Sequence, residues 1–326
     1  IIKVTKANAI IASKQDCFFF KKKTRIKKYI STDVSSEFPF FYEKNILVNK
    51  SKKIDILKDY IITLSSGSTS NPKPIVFSQK TKIMRYKLFK NLYKIRSNDN
   101  IIVTSPIDHS LGMRTLFLPL LNGCTCVVMN NFQVEKYCEL IKRYKITFSV
   151  LVANQIYDLI AAKDQFKKFY LKRGLVSASA KLFPTAKKKI INKKINLFEM
   201  YGAAEIGTVT NINLRKEKKY IASVGRSYHN LIKIKILSRT NKILGSNEIG
   251  EIICKTPGEF KMYYNSKKLN KDAYFKGYFK TGDLGYLNQE KYLFFKSRMK
   301  STIRRSGITI YPEDIEKVFS NDKNIN

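Results

Sequence analysis

Between Asn100 and Tyr201, short apolar runs alternate with stretches whose apolar residues recur at helical spacing. The runs are IIVTS after Asn100, TCVVM from Thr125, TFSVLV from Thr147, LVSAS from Leu175 and NLFEMY from Asn196, and each predicts a strand. The intervening stretches predict helices over Val134 to Tyr144, Gln155 to Phe166 and Pro184 to Ile191. The last opens on a proline, whose missing N–H costs nothing in a first turn. Such alternation predicts an α/β fold, a parallel sheet flanked by helices.

After Tyr201 the pattern changes to strand-like segments with turn signals: LIKIKIL from Leu231, GEIICK from Gly250, YFKTGD from Tyr278 and YLFF from Tyr292. These predict a smaller, mostly antiparallel β-rich subdomain. From Ser301 it changes again, TIRRSG leading to YPEDIEKVF, where Pro312 and the acidic residues open a helix. The expected organisation is a large domain over residues 1–300 and, over 301–326, the start of a small C-terminal α+β domain. The chain opens on Ile1 and closes on DKNIN, after a helix with no evident packing partner, so both ends are expected to be truncated. No internal repeat occurs.

Composition changes this picture little. The 326 residues are 44% apolar, enough for a real core. Lys and Arg outnumber Asp and Glu by 62 to 25, a formal charge of +37. That excess fits a polyanionic partner, but it also fits a biased composition, since Lys, Ile, Asn, Phe and Tyr are abundant together. The densest run, KKKTRIKK from Lys21 to Lys28, holds no aromatic platform and reads as a solvated face, so no nucleic-acid partner is expected. The five cysteines, Cys17, Cys124, Cys126, Cys138 and Cys254, form no CxxC pair, and only His109 and His229 could join them in a zinc site. Reduced thiols of a cytoplasmic protein are expected. Leu111 to Met129, the most apolar stretch, carries Arg114, Pro119, Asn122 and Gly123, so no transmembrane segment is expected.

Candidate chemistry begins at IITLSSGSTSNPKP, which places Ser65, Ser66, Gly67, Ser68, Thr69 and Ser70 directly after an apolar strand, with Lys73 following. Small residues let backbone N–H groups approach a phosphate, hydroxyls add donors, and the lysine supplies charge. The Walker pattern GxxxxGK[ST] is absent, and by itself such a run also fits a flexible loop. Five further segments follow: PIDHSLG (106–112), SASAKL (177–182), MYGAAEIG (200–207), TGDLG (281–285) and SRMKSTIRRSGITIYPEDIE (297–316).

In type and order, these segments resemble the core motifs of the adenylate-forming superfamily, which includes acyl-CoA synthetases, peptide-synthetase adenylation domains and luciferases. The resemblance spans roughly Asp55 to Val318. It implies that residues Ser65 to Ser70, with Lys73, cradle the phosphates of ATP, and that Thr69, Lys73 and Glu205 are the catalytic groups. It also implies that His109 and Gly202 border the acyl pocket, that Ser179 and Ala180 border adenine, and that Tyr201 stacks on it. Glu205 would hold Mg²⁺, Asp283 would accept from the ribose hydroxyls, Arg298 would contact ribose, and Gly307 would lie near the thiol channel. Lys300 and Ser301 would form the hinge between domains. The sequence departs from the family pattern at Ser70 and Pro74, where glycine is usual, at Ala204, where threonine is usual, and at Ser301, where the hinge residue is usually acidic.

The activity so implied is attack of a carboxylate on the α-phosphorus of ATP to give an acyl-adenylate, then thioester formation with coenzyme A or a carrier-protein thiol. The implied cofactors are ATP, Mg²⁺ and coenzyme A, and the implied substrate is a fatty or aryl acid. The family's adenylation lysine would lie beyond Asn326. Two alternatives stay open: an amino-acid-activating domain, with Asp108 binding the substrate amine, and an inactive fragment whose basic surface binds nucleic acid.

Overall fold

A computed structural model of the chain describes residues 9–12, 15, 21–22, 28–31, 55–64, 73–107, 109–129, 131–305 and 308–319. It divides into two compact units, Ile1–Lys58 and Asp59–Asn326. In the first, β1 (Ala9–Ala12) and β2 (Lys28–Ser31) form a parallel pair.

The second unit is built on a seven-stranded sheet in which β5 (Asn100–Val103), β6 (Thr125–Val128), β7 (Phe148–Val152), β8 (Gly174–Ala178) and β9 (Leu197–Ala203) run parallel. The chain then doubles back as β10 (Gly207–Asn213) and β11 (Arg226–Ser227), giving the order β11-β10-β9-β8-β7-β5-β6. All five expected strands form, within a residue or two of their expected bounds. They are near-continuous apolar runs because β7 and β8 are buried on both faces, as parallel sheets require. Leu151, Ile156, Leu175, Ile190 and Leu197 anchor the core between this sheet and its helices.

Two helices not predicted from the sequence cover the sheet as well: α1 (Gln79–Tyr93) and α2 (Ser110–Asn122). Then follow α3 (Val134–Arg143), α4 (Ala153–Ala161), α5 (Lys163–Lys168) and α6 (Pro184–Asn192). The single helix expected over Gln155 to Phe166 is two, because Ala162 leaves the helical region with ψ 75° and breaks the hydrogen-bond ladder.

The β-rich subdomain is antiparallel as expected. β12 (Lys233–Leu237), β13 (Gly250–Lys255), β16 (Tyr278–Leu287) and β15 (Tyr274–Phe275) lie in that order, and β17 (Leu293–Arg298) also pairs with β16. A third sheet joins β3 (Asp59–Leu64), β4 (Pro74–Ser78) and β14 (Met262–Tyr263), so the serine-rich connection links the two strands of a hairpin. Between β14 and β15 lies α7 (Lys267–Asp272). Beyond residue 300 come the hairpin β18 (Ile303–Arg305) and β19 (Ile308–Ile310), then α8 (Pro312–Phe319). That final helix passes close to β17, with Ile315 and Phe319 exposed.

Candidate nucleotide and acid site

The carboxyl ends of β8 and β9 gather several of the candidate residues, at the edge where open α/β sheets take ligands. Tyr201 and Gly202 are the fifth and sixth residues of β9, and the turn Ala204–Ile206 carries the chain into β10. A Cβ on Gly202 would come within 1.9 Å of the Gly207 carbonyl oxygen, so only glycine fits there. At the end of β8, Ser179 adopts a left-handed φ of 71°, which turns Ser179 and Ala180 out to the surface.

The subdomain supplies the next group. Asp283 and Arg298 are cross-strand partners on β16 and β17. Asp283 is 1% exposed. Its Oδ2 accepts the Tyr201 hydroxyl at 2.7 Å, and Arg298 Nε lies 2.9 Å from Oδ1. That ion pair lacks hydrogen-bond geometry, so Oδ1 is buried with no donor directed at it. Burial pushes the Asp283 carboxyl up from its ordinary range, and the nearby Arg298 charge opposes the shift. The Tyr201 ring is buried too, packed against Phe295 at 6.2 Å between centroids.

Glu205 sits in the β9–β10 turn, half-buried, with Oε1 accepting the Tyr263 hydroxyl at 2.9 Å. Its backbone carbonyl accepts from Phe260 N at 2.6 Å and from Arg85 at 2.8 Å. Because β14 pairs with β4, Tyr263 also lies beneath the residue that ends the serine-rich connection: Lys73 Nζ is 5.2 Å from its ring centroid. Lys73, Tyr263 and Glu205 thus form one cluster. No motif marked Tyr263, Arg85 or Phe260. Their contacts depend on strand pairing and helix packing far apart in sequence.

His109 is the residue before the first turn of α2, exposed, and its imidazole makes no hydrogen bond among the described residues. Gly112 lets the segment fold back, since a Cβ there would meet the Pro106 carbonyl oxygen at 1.9 Å. Lys300 and Ser301 lie exposed in the short turn Met299–Ser301 that follows β17. Ser65, Ser66, Gly67, Ser68, Thr69 and Ser70 lie outside the described residues, as do Asp108 and Gly307.

The described cysteines Cys124, Cys126, Cys138 and Cys254 are free. Among the described residues, no three His, Cys, Asp or Glu side chains cluster as a metal centre, and no helix is long and apolar enough to cross a membrane. One carboxylate is nevertheless enough for Mg²⁺, which keeps waters and takes its other oxygens from phosphate.

Sheet order defines an α/β fold whose main sheet meets an antiparallel subdomain, with the candidate residues gathered near that junction. The chain belongs to the AMP-binding enzyme family, whose model matches residues 1–264 and so begins well before Asp55. It is 31% identical to a probable 4-coumarate–CoA ligase of Dictyostelium discoideum over 82% of this chain and 50% of that protein. It is 28% identical to a 2-succinylbenzoate–CoA ligase of Oceanobacillus iheyensis, over 82% of this chain and 55% of that protein. The chain therefore spans about half the length of the curated relatives it matches. In fold it is similar to the o-succinylbenzoate CoA synthetase of Bacillus subtilis, solved with ATP and a magnesium ion: TM-score 0.83, 21% identity, 98% of this chain and 65% of that one.

Proposed function

We propose that this chain carries the nucleotide- and acid-binding part of an AMP-forming acid–thiol ligase, which activates a carboxylic acid as its acyl-adenylate and passes the acyl group to coenzyme A. The observation that carries the reading is the convergence of Lys73, Tyr263 and Glu205 beside the Tyr201–Asp283–Arg298 group, in a member of the AMP-binding family. The named CoA ligases among its relatives support the reaction class.

The residues fit the implied groups. The undonated Asp283 Oδ1 is an acceptor of the kind a ribose hydroxyl satisfies. Arg298, about half exposed and held by its pairing to β16, would reach the same sugar. Glu205 offers the oxygen that Tyr263 leaves unbonded, and Lys73 adds positive charge close by. When bound, Mg²⁺ supplies Lewis-acid stabilisation of phosphate charge. Arg85 and Phe260 N fix the Glu205 backbone, so the carboxylate is set before any ligand arrives. The serine-rich connection would complete the phosphate cradle, and His109 and Gly202 would border the acid.

A carboxylate cannot transfer its acyl group directly at neutral pH because oxide is too poor a leaving group. Adenylation replaces that leaving group with AMP, which a thiol then displaces. The test is pyrophosphate exchange by the full-length protein against panels of carboxylic acids and amino acids. Exchange with acids, and CoA thioester formation, is expected. Exchange dependent on amino acids alone would sink this reading.

A further inference from the structure

Among the described residues, the facing surfaces of α1 and α2 bring three basic side chains together without an acid among them. Arg85 is buried, its guanidinium 4.6 Å from the Phe77 ring centroid, with Nε donating to the Gly258 carbonyl at 2.6 Å and a terminal nitrogen to the Glu205 carbonyl at 2.8 Å. Those bonds use two of its five N–H groups. Arg114, mostly buried on α2, donates to Thr208 Oγ1 at 3.0 Å. One turn before Arg85, Lys82 Nζ lies 4.0 Å from the same Phe77 ring and 3.5 Å from Met113 Sδ. Among the described residues none of the three is in ion-pair contact with a carboxylate, and Glu205 and Glu259 act on Arg85 only from farther away.

Burying unpaired charge is costly, so a native chain keeps such a cluster where something compensates it. Two small clefts open on it, each with room for about one water molecule, and Arg85 and Arg114 line both. Lys82 and Ser110 line the second. Ser110 Oγ is a second, independent sign of a missing partner: it is buried, has no hydrogen-bond partner and sits at the first residue of α2, one turn before Arg114. Burial and the two arginines lower the Lys82 ammonium to about 7, as expected where positive charge meets no counter-charge.

The first cleft also touches Ile206, Gly207 and Thr208, directly after Glu205, and Ser110 follows His109. The cluster therefore adjoins the region assigned above to the acid. Each cleft has room for about a single oxygen of an oxyanion and not for a nucleotide or polyanion. We propose that Lys82, Arg85, Arg114 and the Ser110 hydroxyl form an oxyanion subsite that holds a second carboxylate of the substrate, so that the acids activated are dicarboxylic. This rests on the acid-activating reading for the identity of the ligand, but not for the existence of the anion site.

The test uses the full-length protein in two arms. In the first, pyrophosphate exchange is compared between matched acids, glutarate against valerate and a phenyl-bearing diacid against its monoacid. A preference of about tenfold or more in kcat/KM for the diacids is expected, carried by KM, and it should collapse in Arg114→Gln and return in part in Arg114→Lys. Equal use of monoacids and diacids overturns the subsite and leaves acid activation standing. No exchange with any acid counts against acid activation instead, and the second arm then decides. There, calorimetric binding without ATP is measured for glutarate, valerate and inorganic phosphate, with circular dichroism confirming that each variant is folded. Binding of glutarate but not valerate, lost in Arg114→Gln and weakened in Ser110→Ala, is expected. Binding of phosphate alone would assign the cluster to free phosphate, and no binding of either anion would overturn the subsite.

Discussion

The Tyr201 hydroxyl donates to Asp283 Oδ2 at 2.7 Å across the junction between the main sheet and the subdomain, with both residues buried. The bond does two things. It satisfies one oxygen of a carboxylate that burial disfavours, and in the function proposed above it would fix the direction of the other, Oδ1, for a ligand hydroxyl. Tyr201→Phe should therefore lower stability by about 1–3 kcal/mol, the cost of leaving a buried acceptor unmade. It should also weaken nucleotide binding, because Asp283 is then free to turn. Urea unfolding and titration with AMP check the two effects separately, and unchanged AMP affinity would separate the bond from the site.

Glu205 and Tyr263 give a second pair of expectations. Glu205→Gln keeps the Tyr263 hydroxyl bond but removes the charge a divalent cation needs, so exchange activity of the full-length protein should fall by roughly 100-fold and demand more Mg²⁺. Tyr263→Phe keeps the charge and frees the carboxylate, so a smaller loss, about tenfold, is expected. A Mg²⁺ titration of both variants distinguishes charge from positioning.

The candidate residues could be named from sequence because the chemistry they suggest is local: a turn glycine, an acid after TG, a lysine after a serine run. The parallel sheet was legible for a similar reason, since strands buried on both faces leave unbroken apolar runs. Helix α1 was not. Its inward face runs Arg85, Leu88, Phe89 and Tyr93, and an arginine heading a core face breaks the apolar period that marks a helix. Helix α2 holds Gly112 and Pro119, two residue types that disfavour a helix interior. Tyr263 and Arg85 carry no motif at all. Their place beside Glu205 follows from β14 pairing with β4 and from α1 packing on the β10 side, contacts that no short window of sequence contains.

A buried ion pair offers a test of the scaffold independent of ligand. Lys187 of α6 and Glu199 of β9, both nearly inaccessible, are in direct contact, and the same ammonium donates to the Ile221 carbonyl at 2.8 Å. Lys187→Met leaves Glu199 charged and unpaired in the core, so a loss of about 3–5 kcal/mol is expected. Replacing both, as Lys187→Met with Glu199→Leu, should recover much of it. Urea unfolding of the single and double variants provides the cycle, and an equally unstable double variant would show that the pair contributes more than its own desolvation costs.

Lys82 makes stability depend on pH with a definite sign. Its ammonium loses its proton near 7 in the fold, against 10.5 ordinarily, because of burial first and the charges of Arg85 and Arg114 next. Between those values the unfolded chain binds the extra proton and the folded chain does not, so stability from this group rises with pH. The penalty is absent above about 10.5 and complete below about 7. Lys82→Met should therefore flatten the rise in unfolding free energy between pH 7 and 9. An oxyanion bound beside Lys82 would restore the ammonium, so glutarate binding at pH 8.5 should take up a proton. Calorimetry in two buffers of different ionisation enthalpy measures that uptake, and its persistence in Lys82→Met would move the proton to another group.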